Sequence, residues 1–238
     1  MFRQTTRDFC VNQQFRKDYW VKGCRTLTAL EQAEALRGQR ILLAQPRADV
    51  GLKVTGSLGE ATLQEAVYGP ILDQLADHKP KTLGQLEQAL KATPSTQSLS
   101  FAQILQAAMV LSATGAVQAV QDDAVVQKAK KRTDRLNVYL MTKARSSNEL
   151  SYLASPVTGG GVTVPRFQQL FLLAKQQGHK HPQDWANFVW NILALQNQRL
   201  VKDGKTLETV EENLAELTAQ ASEFAEKQLP IFKALQIA

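Results

Sequence analysis

From Glu65 onward the apolar residues of this chain recur at helical spacing, and proline or glycine cuts the recurrence into helix-length pieces. Val67, Ile71, Leu72 and Leu75 form one such face, which Pro80 stops. TLGQLEQALKA follows, with Thr82 as its N-cap. SLSFAQILQAAMVLSATG is a third piece, with Phe101, Ile104, Leu105, Ala108 and Leu111 on its apolar face and Gly115 at its end. AVQAVQ then reads as a strand. Three helices on short connections followed by a strand are the outline of a winged helix.

The remainder of the chain is also helix-rich. PRFQQLFLLAKQQ and PQDWANFVWNILALQNQ each place a proline, Pro165 and Pro182, at the first helical position. The first presents Phe167, Leu170, Phe171 and Ala174 to a core, the second Trp185, Phe188, Val189 and Ile192. RLVKDGKTLET reads as a hairpin turning at Asp203-Gly204. A capping box, Thr209 with Glu212, opens a last helix carrying Leu207, Val210, Leu214, Leu217, Ala221 and Phe224. That seam is open to a homodimer or to packing within the chain, and barely three heptads favour the second. Near the N-terminus, DFCVNQQF is helical or irregular, FRKDYWV alternates as a strand does, and TALEQAEALRG is a short helix closed by Gly38. RILLAQP and VGLKVTG are two further strands. The expected fold class is α+β and predominantly helical. A domain over 1–122 has a winged-helix-like second half, and a mainly helical domain covers 123–238.

The formal charge of +6 is unevenly spread: +2 over residues 1–122, +4 over 123–150 and 0 over 151–238. The excess sits in DDAVVQKAKKRTDRLNVYLMTKARS, where Lys128, Lys130, Lys131, Arg132 and Arg135 follow Asp122 and Asp123. Acids first and bases after suit a helix macrodipole. The segment reads either as a solvated connecting helix or as a contact surface for an acidic partner, and those five cations are the candidate contact residues. DNA reading by the third winged-helix segment is disfavoured. Residues 100–114 hold no charged side chain, only Gln103 and Gln106 as polar readers, and the strand after them runs into Asp122 and Asp123.

Nothing in the pattern specifies chemistry. Gly159, Gly160 and Gly161 are separated from the following helix by Val162-Thr163-Val164, and no Lys-Ser or Lys-Thr follows, so a tight turn is expected and not a phosphate loop. GSLGE at Gly56–Glu60 lacks the strand-then-helix context of a cofactor loop. His78, His179 and His181 have no further ligand at metal spacing, and Cys10 and Cys24 form neither a CxxC nor a disulfide framework. No catalytic, cofactor-binding or metal residue is expected. Apolar runs such as Ala107–Leu111 fall far below the ~18 residues of a membrane span. Arg3, Arg7 and Asp8 stand where a signal peptide would be apolar, so the expected location is the cytoplasm, without membrane insertion.

Three segments in order, RDFCVNQQFRKDYWVKG, LASPVTGGGVTVPRFQQLFLLA and QNQRLVKDGKTLETVEENLAELTAQASEF, resemble the methyltransferase regulatory domain and its C-terminal extension. These regions follow the catalytic domain in a group of bacterial S-adenosylmethionine-dependent methyltransferases similar to outer-membrane-protein lysine methyltransferases. The resemblance covers nearly the whole chain. It implies a noncatalytic regulatory and protein-recognition region whose partners are the catalytic domain or the protein substrate. It also implies S-adenosylmethionine as the cofactor of that other domain, since no acidic-GxGxG loop occurs in this sequence. The chain is then a portion that begins after the catalytic domain, or a natural stand-alone form. The rival reading is a winged-helix nucleic-acid-binding regulator using the basic helix 128–145.

Overall fold

In the computed structural model of the chain, which describes residues 2–13, 15, 18, 20–56 and 59–238, the first element is α1 (Phe2–Cys10), a helix with no buried residue. The strand expected over FRKDYWV lies partly outside the described residues, and Phe15, Asp18, Trp20 and Val21 are not in a strand. Thr28 and Glu31 then exchange the reciprocal hydrogen bonds of a capping box to start α2 (Ala29–Arg37). Gly38 ends it with φ −73, so the stop is not the left-handed one glycine usually provides.

The next elements are β1 (Arg40–Leu43), a 3₁₀ turn at Arg47–Asp49, β2 (Lys53–Gly56) and β3 (Gly59–Thr62). β2 and β3 pair as an antiparallel hairpin whose second strand carries no apolar alternation in sequence. α3 (Glu65–Leu75), β4 (Lys81–Thr82), α4 (Leu83–Lys91), α5 (Phe101–Ala113) and β5 (Val117–Ala119) complete the first half. Thr82 with Gln85 and Ser100 with Gln103 cap α4 and α5, and Gly115 ends α5 at φ +80. Within α5, Ile104, Ala108 and Leu111 are buried, whereas Phe101 and Leu105 are only half-buried at the edge of the core.

The three-stranded sheet has the order β4-β1-β5, all antiparallel, with Ile41 opposite Ala119 and Leu43 opposite Val117. Successive side chains of a strand point to opposite faces. Ile41, Leu43 and Val117 therefore enter one apolar cluster with Ile71, Leu72, Leu86 and Ile104. Leu42 enters a second, with Val126, Met141, Phe171, Trp185 and Phe224, and Ala44 and Val120 pack beside it. Both neighbours in sequence, Leu42 and Leu43, are 0% exposed. β1 is thus a wall between two cores, and the apolar run RILL reads as continuous because both its faces are covered.

The second cluster is built by α6 (Asp123–Lys143), β6 (Tyr152–Ser155), β7 (Gly160–Thr163), α7 (Arg166–Gln176), α8 (Pro182–Leu195), β8 (Val201–Lys202), β9 (Lys205–Thr206), α9 (Val210–Glu223), a π-helical turn at Phe224–Gln228 and α10 (Leu229–Ala234). Pro165 is the N-cap of α7 and not its first residue, while Pro182 does stand first in α8. The Asp203-Gly204 turn between β8 and β9 has positive φ at both residues, 50 and 78, as a tight hairpin turn requires. On α9 the buried stripe is Asn213, Leu217 and Ala221, continued by Phe224, and it packs on α8. Val210 is exposed and Leu207 precedes the helix, so these two fall outside the buried stripe, while Leu217, Ala221 and Phe224 are covered inside the chain. Helix predominates over strand, 54% against 13%, and the fold is α+β.

Candidate partner-contact surface

α6 carries the five predicted cations, and its inner face decides where they point. Val126, Asn137, Met141 and Ala144 are buried. Asn137 donates from Nδ2 to the Ala154 carbonyl at 2.8 Å and accepts the Ala154 N–H on Oδ1 at 2.7 Å. At the far end Arg166 of α7 donates from Nε to the Ala144 carbonyl at 2.8 Å and from a terminal nitrogen to the Arg145 carbonyl at 3.1 Å. These are carbonyls a helix C-terminus leaves without partners, and a cation there complements the dipole. Burial pushes the Arg166 guanidinium pKa down from its ordinary value, which still leaves it a cation near neutral pH.

With that face fixed, Lys128, Lys131, Arg132 and Arg135 stand at i, i+3, i+4 and i+7 on the opposite side, all exposed. None pairs with a carboxylate among the described residues. Lys130 departs from the group. It is half-buried, ion-paired with Asp134 one turn later, and lines a cavity of about 270 Å³ with Asn137, Met141, Leu172 and Lys175. No Ser, Cys or His lines that cavity, and Asp134 is committed to Lys130, so it holds no nucleophile-and-base pair.

Apolar and aromatic side chains, to which net charge is blind, flank the cations on the same face. Tyr139 continues the outer stripe eleven residues after Lys128, and Lys143 stacks its ammonium 5.6 Å from the Tyr139 ring centroid. Val125, Leu136 and Tyr139 are 48%, 47% and 58% exposed. Helical spacing was the signal available for them. Acidic groups bound the surface at the start of α6, where Asp123 is ion-paired with Arg40 at 2.9 Å.

The other motifs have structural places. Gly159 turns the β6–β7 hairpin at φ +71, its N–H donating to the Ser155 carbonyl at 3.0 Å, while Gly160 and Gly161 are strand residues opposite Ser155 and Ala154. The glycines therefore let Tyr152–Ser155 fold back on Gly160–Thr163. His78 has Nδ1 2.9 Å from the Leu43 carbonyl oxygen, His179 packs its ring 5.7 Å from Phe188, and the His181 N–H donates to Asp184 at 3.2 Å to start α8. Cys10 and Cys24 are exposed free thiols. Among the described residues no group of three or more His, Cys, Asp or Glu could hold a metal, and no helix is long and apolar enough to cross a membrane.

Compared with known proteins, the chain is 38% identical over 236 residues to the uncharacterized protein sll1526 of Synechocystis sp.. The alignment covers 99% of this chain and 45% of that relative, so the chain spans less than half the length of the curated protein it matches. No family model matches, and no solved structure matches.

Proposed function

We propose that this chain is the noncatalytic regulatory and protein-recognition region of an S-adenosylmethionine-dependent methyltransferase, working in the cytoplasm on the catalytic domain or on the protein substrate. The methyltransferase half of this reading rests on the resemblance of the three sequence segments. The observation that carries its protein-recognition half is the outer face of α6, where Lys128, Lys131, Arg132 and Arg135, without a carboxylate partner among the described residues, stand beside exposed Val125, Leu136 and Tyr139. Such a surface suits a protein and does no chemistry itself. The cofactor belongs to the catalytic domain, and the part of the cyanobacterial relative outside the alignment, more than half of it, is room enough for one.

The α3–α5 unit is read as winged-helix-like. A strand, β4, falls between the first two helices and another, β5, follows the third. The central strand of the sheet, β1, arrives from before the helices and not after them as a wing. Its third helix is a protein-contact element in this reading, because its exposed residues, Gln103, Gln106 and Met109 among them, carry no charge. The same neutrality weakens the rival, a nucleic-acid regulator using 128–145, which is favoured only by the cations themselves.

Calorimetric titration with S-adenosylmethionine tests the reading on two proteins, this chain and the full translation product of its gene. Binding to the full product and none to this chain is expected. Saturable micromolar binding to this chain, or a full product with no cofactor-binding domain, overturns it.

A further inference from the structure

We infer that the outer face of α6 docks a short acidic amphipathic helix of a partner protein. The inference rests on the protein-recognition half of the reading above and names the chemistry of the partner. From Lys128 to Lys143 the stripe is about 22 Å long at 1.5 Å per residue, the reach of a four-turn helix. A helix with carboxylates at i, i+3, i+4 and i+7 repeats the spacing of Lys128, Lys131, Arg132 and Arg135, so the charges meet in register. Leucines between those carboxylates cover Leu136 and the Tyr139 ring, as in other helix-to-surface recognition.

A nucleic-acid backbone matches the same surface less well. It neutralises cations but leaves Val125 and Leu136 against a polar chain, and Asp122 and Asp123 interrupt any track running past the start of α6. Two of the nearby carboxylates are already taken, Asp134 by Lys130 and Asp123 by Arg40, and Asp122 stands before the first turn of the helix. Asn137 and Arg166 fix the helix from behind, so its backbone is already ordered and docking orders only the exposed side chains.

The test is fluorescence anisotropy at physiological salt, where a Debye length of about 8 Å screens loose polyanion attraction. The probes are a labelled peptide of about sixteen residues, long enough for the stripe at that rise, with Glu and Leu on the stated faces, the same composition scrambled, duplex DNA, and phosphatidylserine vesicles. The patterned peptide is expected to bind about tenfold tighter than the scrambled one, and Tyr139→Ala or Leu136→Ser to weaken it about fivefold. Combining Lys128→Gln, Lys131→Gln, Arg132→Gln and Arg135→Gln is expected to remove binding. All six side chains are exposed, and circular dichroism melts check that the variants fold. Equal affinity for both peptides, or no binding of either, overturns this inference and leaves the protein-recognition reading standing. Tighter binding of DNA, with a log–log salt slope of about −0.9 per neutralised phosphate, or of vesicles, overturns both.

Discussion

Asn137 of α6 holds Ala154 of β6 by both of its backbone groups, donating at 2.8 Å and accepting at 2.7 Å. Among the described residues β6 has a strand partner on one side, β7, and the amide of Asn137 supplies on the other side the pairing that a further strand would make. Because Asn137 is buried, Asn137→Ala leaves the Ala154 N–H and carbonyl without partners. The expected loss is about 2–4 kcal/mol, read as a lowered thermal midpoint. An unchanged midpoint would mean that water replaces the amide at no cost.

Leu42 and Leu43 are adjacent, equally buried and face different cores. Leu42→Ala and Leu43→Ala are each expected to cost about 2–5 kcal/mol. Hydrogen exchange should tell them apart. Leu42→Ala should first weaken amide protection in α7 and α9, and Leu43→Ala should do so in α4 and α5. Identical protection maps would rule out the two-sided strand.

Of the three consecutive glycines only Gly159 is in the left-handed region, and a Cβ there would lie 3.0 Å from Nε2 of Gln121. Gly160 has open space around it. Gly159→Ala is therefore expected to destabilise by about 1–2 kcal/mol and Gly160→Ala to fall within about 0.5 kcal/mol of wild type, by chemical denaturation. Equal effects at the two positions would contradict the turn assignment.

Glu87 accepts from Arg37 Nε at 2.7 Å and from Lys91 Nζ at 2.7 Å, and Arg37 also lies over the Phe101 ring at 4.5 Å. The Arg37 hydrogen bond first, and that of Lys91 next, hold the Glu87 carboxyl below its ordinary value. With a depressed folded value, the stabilisation is present above the unfolded value of about 4.3 and is lost as pH falls through the folded one. The stability gap between wild type and Glu87→Gln should be widest near neutral pH and close below about pH 4. Urea melts across that range check the sign, and a gap that widens on acidification would refute it.

The elements legible in sequence were those with local causes. Thr209 and Glu212 cap α9 through bonds made within one turn, Gly115 stops α5, and Asp203-Gly204 makes its hairpin from two adjacent residues. The sheet order was not legible, because β1 pairs with β5 across some seventy-five positions and nothing in RILL or AVQAVQ names the partner. β3 was missed because GEAT has no apolar alternation, and the π turn and α10 because Phe224 reads as the end of a seam and not as its bend. For the surface, composition located the charge. The burial of Asn137 and Met141, together with the ion pair to Asp134, separates Lys130 from the outward Lys128, Lys131, Arg132 and Arg135.

A strand walled on both sides has a history in the cell. When translation has passed Val117, the residues that cover Ile41 and Leu43 are all in place, but the face bearing Leu42, Ala44 and Val120 waits for Val126 through Ile237. At ~5–20 residues per second that wait is on the order of ten seconds. During it the half-clad sheet is exposed, so aggregation of the incomplete chain competes with the completion of its second core.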